Sequence, residues 1–205
     1  MNEIGFKNSV MKIKDESDLP QHVTYSEYQS ILNEIANNPY THYLSKDRIP
    51  FLKARDTLMV KCLWELGGRI SDILNIETGD IDFQNKIIVL KVKKREGFIN
   101  RIPVSDDLLL DISNFMRGYP EINGRLFKMD RESAWKKIKG YGTKIGLNLH
   151  PHMFRHGLAI YLLMKGVPIQ IIARRLGHKN AMTTLHYYVV ITPEIEREAL
   201  KGILL

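Results

Sequence analysis

Apolar positions recur at Tyr28, Ile31, Leu32 and Ile35, the three-and-four spacing of one helical face. Thr24 followed by Glu27 supplies a capping box at the start of that helix, and Asn37-Asn38-Pro39 stops it. A second helix is expected over about 51–66, closed by Gly67-Gly68, and a third from near Ser71 that carries Ile73, Leu74 and Ile76. From Asp80 the period changes. The stretch "IDFQNKIIVLKVKKREGFINRIPVS" is rich in β-branched residues and alternates over short runs, with one turn at 82–85 and another at Arg95-Glu96-Gly97. It predicts a three-stranded antiparallel sheet ending at Pro103. Helical periodicity returns over 108–116, 131–145, 152–165, 169–176 and 180–188. A last helix is expected over 193–204, with Thr192 as cap and Pro193 at its first position.

The fold class that follows is mainly α with a small antiparallel three-stranded β-sheet inserted near the first third. Residues 1–20 mix charge with isolated apolar side chains and end in Asp18-Leu19-Pro20, which reads as a tail or linker. The globular part, 21–205, is expected to be one domain. Trp64 and Trp135 are expected in its core, and His22, His42 and His186 at its surface.

Composition narrows the partners. A formal charge of +7 suits a polyanion, nucleic acid being the commonest. The single cysteine, Cys62, excludes an internal disulfide and a multi-cysteine zinc site. No apolar run approaches the roughly 18 residues of a membrane helix, and the amino terminus lacks a signal-peptide core. A cytoplasmic, nucleoid-associated protein with no membrane partner is expected.

Candidate chemistry concentrates in "HPHMFRHGLAIYLL", residues 150–163. In a helix beginning near His152, Arg155 and His156 lie close to the same face, so an imidazole and a guanidinium can meet one anion. The same groups could instead cap the helix. His152 and His156 also have the spacing of a metal pair, yet no carboxylate or cysteine stands at a familiar zinc spacing, so no metal is expected. Two further stretches bear on the choice. "LGGRISDILNI" places Arg69 just after two glycines at a helix junction. "ARRLGHKNAMTTLHYY" places His178 after a glycine at a helix end, with Tyr187 nine residues later.

Taken together and in this order, these motifs resemble the catalytic domain of the tyrosine recombinases, the lambda-integrase and Xer-like site-specific recombinases. The family signature is an arginine with an acidic companion, a lysine in a β-hairpin, H-x-x-R, "LGH", and a tyrosine nine residues beyond. The resemblance runs from about Val23 to the C-terminus. It implies that Arg69, His152, Arg155, His178 and Tyr187 are catalytic, with Asp72 supporting Arg69, and that Tyr188 competes for the nucleophile's role. The hairpin lysine falls on Lys94, with Lys93 next. Lys91, Arg95, Arg174 and Arg175 are expected against the DNA backbone.

The resemblance further implies cleavage and rejoining of double-stranded DNA through a 3′-phosphotyrosyl intermediate, without cofactor, metal or ATP. Two arginines can hold the charge that develops on the phosphate, and a tyrosine hydroxyl of pKa near 10 needs a base. The family's amino-terminal core-binding domain is expected to be absent, since about 20 residues precede the catalytic domain. The helix over 193–204 is expected to link copies into a homo-oligomer on DNA. The other readings are relaxation of DNA in the manner of a type IB topoisomerase, and a non-catalytic, recombinase-derived DNA-binding regulator.

Overall fold

The computed structural model describes residues 20–40, 46–91, 99–178 and 200–201. α2 (Ile49–Leu66) runs through the middle because it is apolar nearly all round: Leu58, Met59, Val60, Cys62, Leu63 and Leu66 are buried. Around it pack α1 (Tyr25–Asn37), α3 (Ile70–Leu74), α4 (Asp106–Gly118) and α6 (Pro151–Met164). α5 (Arg131–Lys144) lies against α1 and α3, and α7 (Ile169–Leu176) lies against α6. The expected capping box is present, with the Thr24 amide donating to Glu27 at 2.7 Å and the Glu27 amide to the Thr24 hydroxyl at 3.2 Å.

The sheet is antiparallel in the order β1 (Ile81–Asp82), β2 (Ile87–Lys91), β3 (Ile99–Pro103). The expected turn at 82–85 is held by Asp82, which accepts from the amide and the side chain of Asn85. The register pairs Ile88 with Ile102 and Leu90 with Asn100, so those four side chains form the buried face, and Asn100 is its one polar member. The turn at Arg95-Glu96-Gly97 lies outside the described residues, as do most of the helices expected over 180–188 and 193–204, and His42 and His186.

A second polar feature lies deep beside α2. Asp56, fully buried, is paired with the neighbouring Arg55 at 2.7 Å and with Lys137 of α5 at 3.0 Å, and it accepts from the hydroxyls of Tyr40 and Tyr141. Desolvation raises the pKa of both tyrosines, keeping them neutral donors.

Three expectations are corrected. Trp135 is 40% exposed, because it sits on the solvent side of α5 with Lys139 over its ring at 5.1 Å. His22 is half-buried, with Nδ1 3.0 Å from the Pro20 carbonyl. α3 begins at Ile70, near the expected Ser71, with Arg69 in the extended N-cap position, but ends at Leu74, so Ile76, expected on this helix, lies beyond it. Trp64, at 7% exposure, is in the core as expected.

Candidate active site

The site is built around the C-terminus of α2. Gly67 closes that helix in the left-handed conformation, φ 60°, a cap that glycine adopts without a Cβ penalty. The packing around it is close: a Cβ on Gly67 would stand 2.8 Å from a terminal methyl of Leu158 in α6 and 2.9 Å from one of Leu176 in α7, and one on Gly68 would stand 2.9 Å from a terminal methyl of Leu90 in β2, so those side chains would have to shift. The two glycines thus form a neck where α2, α6, α7 and the sheet converge.

Arg155 reaches this neck from α6. Its side chain is buried, and Nη1 donates to the Gly67 carbonyl at 2.7 Å. One bond places the guanidinium and satisfies a carbonyl that the end of α2 leaves without an intrahelical partner. Arg69 follows two residues after Gly67, so the cap that receives Arg155 also sets the start of the segment carrying Arg69. Asp72, itself buried, accepts from the Arg69 backbone amide at 3.2 Å and stands 3.8 Å from its guanidinium. The acidic companion therefore fixes the backbone of Arg69 more firmly than its side chain, which remains about one-third exposed.

His152 lies in the first turn of α6, three residues before Arg155, and is exposed at the rim. Its pKa is lowered, first by partial desolvation and then by the positive neighbours His150, Arg155, Arg69 and Arg131. A neutral imidazole at neutral pH, able to take up a proton, is the consequence. His156, half-buried one turn on, is pushed down to about 4, first by desolvation and then by His152, Arg155, His150 and His22.

His178 is delivered by the end of α7. Gly177 takes φ 66°, its amide donates to the Arg174 carbonyl, and the His178 amide donates to Ala173 at 2.9 Å, which makes a Schellman cap. That explains the glycine of "LGH": the helix must stop for the histidine to leave its axis.

The structure thus brings Arg69, Asp72, His152 and Arg155 to one neck and sets His178 at the end of a helix packed on it. Lys93, Lys94, Arg95, Tyr187 and Tyr188 lie outside the described residues. Two of the expected DNA contacts are engaged in the fold itself. Lys91 Nζ lies 2.8 Å from Asp80 and 3.2 Å from Glu77, which raise its pKa and offset its charge. Arg175 donates to the backbone carbonyls of Glu65 at 2.9 Å and Pro103 at 3.2 Å, tying α7 to α2 and β3. Arg174 keeps its side chain in solvent.

Arg131, at the start of α5, is a basic residue that sequence reasoning did not single out. It is exposed and close enough to His152 to depress its pKa. Only the packing of α5 on α1 and α3 brings it there, and nothing in its local sequence signals that. Among the described residues no helix is long and apolar enough to cross a membrane, and no group of three acidic, histidine or cysteine side chains could hold a metal.

Comparison with known proteins gives a consistent picture. Residues 21–194 match the profile of the phage integrase family. Tyrosine recombinase XerA of Pyrococcus horikoshii is 30% identical over 96% of this chain and 67% of its own length. Across five archaeal XerA relatives, the chain spans 51% to 67% of their length. Two solved structures share the fold: XerA recombinase, with a TM-score of 0.71 at 19% identity, covering 91% of this chain and 66% of that one; and XerH site-specific recombinase bound to difH substrate before cleavage, with a TM-score of 0.66 at 21% identity, covering 91% and 53%.

Proposed function

The chain belongs to the phage integrase family, and from that premise we propose that it carries the catalytic domain of a site-specific DNA recombinase, cutting and rejoining strands through a 3′-phosphotyrosyl bond on Tyr187. The observation that carries this reading is the convergence of Arg69, Arg155 and a neutral His152 on the capped end of α2.

In the proposed step the Tyr187 oxygen attacks the scissile phosphorus, giving its proton to His152. The 5′ oxygen leaves with a proton from Lys94, or from Lys93 in its place. Arg69 and Arg155 hold the non-bridging oxygens, where a planar guanidinium can offer two parallel donors, and His178 donates one more hydrogen bond. One phosphodiester is exchanged for another, so rejoining by the reverse attack needs no nucleotide and no metal. Double-stranded DNA is the partner that the net charge of +7 and the DNA-bound XerH relative support. Arg131 and Arg174, both exposed, are the phosphate contacts best placed among the described residues. Such a protein works in the cytoplasm on the nucleoid. The helix expected from the sequence over 193–204, for which Ile195, Leu200, Ile203 and Leu204 supply a partial apolar face, is proposed to link copies on DNA and to gate placement of the nearby nucleophile.

The test is a pool of nicked suicide duplexes with randomised flanks, incubated with the 205-residue chain and a chelator and run on a denaturing gel. A covalent adduct, mapped by mass spectrometry to Tyr187 and lost in Tyr187→Phe but not in Tyr188→Phe, is expected. The reverse pattern overturns the assignment of the nucleophile. Binding with no adduct overturns the enzymatic reading, and relaxation of supercoiled plasmid without exchanged product overturns recombination. Deleting residues 193–205 should alter adduct yield and assembly on DNA, and unchanged values of both would remove the gating role.

A further inference from the structure

Asn100 is the one polar side chain on the buried face of the sheet, opposite Leu90, and is only 7% exposed. A lone amide among Ile88, Leu90 and Ile102 is costly unless its hydrogen bonds are made. They are made far away in sequence: Nδ2 donates to the backbone carbonyls of Arg174 at 3.2 Å and Arg175 at 2.9 Å. Because both neighbours are acceptors, the amide can face them only with its nitrogen.

Those carbonyls belong to the last turn of α7, where a helix runs short of intrahelical donors; the Arg174 carbonyl also accepts from the Gly177 amide of the cap. α7 has eight residues, too few to hold itself together in water, so its end depends on what it docks against. Two polar struts hold that end: the Asn100 amide, reaching α7 from β3, and the Arg175 guanidinium, reaching from α7 to the carbonyls of Glu65 in α2 and Pro103 in β3. His178 lies three residues beyond the Arg175 carbonyl, after the left-handed turn at Gly177. β3 is also the strand onto which the chain returns from the segment holding Lys93 and Lys94.

We propose that Asn100 is a positioning residue for His178: by capping the last turn of α7 from β3, it fixes the histidine relative to Arg155 and ties its placement to the strand that follows the hairpin lysines. This rests on the catalytic reading above, in which His178 meets the scissile phosphate.

The experiment is a double-mutant cycle together with amide hydrogen exchange on the full 205-residue chain. Asn100→Leu keeps the heavy-atom count and the branching at Cγ and removes the donors. Asn100→Asp keeps the shape and turns an acceptor toward two carbonyls, and it serves if the leucine variant fails to fold. Each should slow single-turnover adduct formation at saturating protein about tenfold, with DNA affinity changed less than about twofold. In a His178→Ala background the same substitutions should slow it less than about twofold, the mark of acting through that histidine. The Gly177 and His178 amides should exchange faster, while those of α2 keep their protection. Equal slowing with and without His178, or unchanged exchange at Gly177 and His178, overturns the proposal. A wild-type chain that forms no adduct overturns the catalytic reading instead, and the exchange measurement then still decides whether Asn100 holds α7.

Discussion

Arg69→Ala and Arg155→Ala should be kinetically alike and thermodynamically unlike. Arg155 is buried, and its Nη1 satisfies the Gly67 carbonyl at 2.7 Å. Truncation strands that carbonyl, removes a hydrogen bond from a charged donor and leaves a cavity, for a loss of about 3 kcal/mol of folding stability. Arg69 keeps its backbone bond to Asp72 when truncated, and its guanidinium is about one-third exposed and 3.8 Å from that carboxylate. Its removal should cost less than about 1 kcal/mol, the usual worth of a partly exposed pair. Both variants lose a donor to the charge that develops in the proposed transition state, a loss on the order of 10² in rate. Denaturant unfolding gives the first quantity, and single-turnover adduct formation at saturating protein gives the second. Equal stability losses would refute the structural role of Arg155. A fall in DNA affinity as large as the fall in rate would show that the arginines bind phosphate without favouring the transition state.

The histidines predict a pH dependence. His156 has a folded-state pKa pushed down to about 4, below the ordinary value near 6.5, so the unfolded chain binds the proton first and stability falls as pH drops from about 6.5 toward 4. Allowing for partial exposure, the loss is on the order of 2 kcal/mol, and His156→Gln should flatten that part of the profile; an unchanged profile would place the titration elsewhere. Asp56→Ala should destabilise by about 3 kcal/mol, since it strands Arg55, Lys137 and two tyrosine hydroxyls around a buried hole, and a loss under about 1 kcal/mol in thermal unfolding would show that water replaces the carboxylate.

Local chemistry made much of this legible in advance. Thr24 and Glu27 can do little else than cap a helix, and Gly67-Gly68 breaks one whatever lies around it. Arg69 and His178 stand beside glycines that end helices and His152 lies in the first turn of α6, where caps and glycines leave marks, but Arg155 sits inside α6, and the order of the four was legible only through the family resemblance. The relations made by packing were not legible. Lys91 lies among cationic residues in sequence, yet its partners Glu77 and Asp80 stand 14 and 11 positions back, across the first turn of the sheet. Asn100 reads as an ordinary strand residue until α7, some 75 positions later, is folded against it. Trp135 reads as core because it is large and apolar, but it lies on the solvent side of α5, 40% exposed.

The close approach between α6 and the segment entering the domain has its own consequence. Val23 is fully buried, and its amide donates to the Met153 carbonyl at 3.1 Å, between His152 and Arg155 in sequence. A Cβ on Gly157 would lie 2.0 Å from the Val23 carbonyl oxygen, so the two backbones touch with no side chain between them. Such a joint has no slack. A pull applied to the chain ahead of residue 20 is delivered to the first turns of the helix that holds the proposed base and one of the two proposed phosphate clamps, making the domain's entrance a lever arm on its own chemistry.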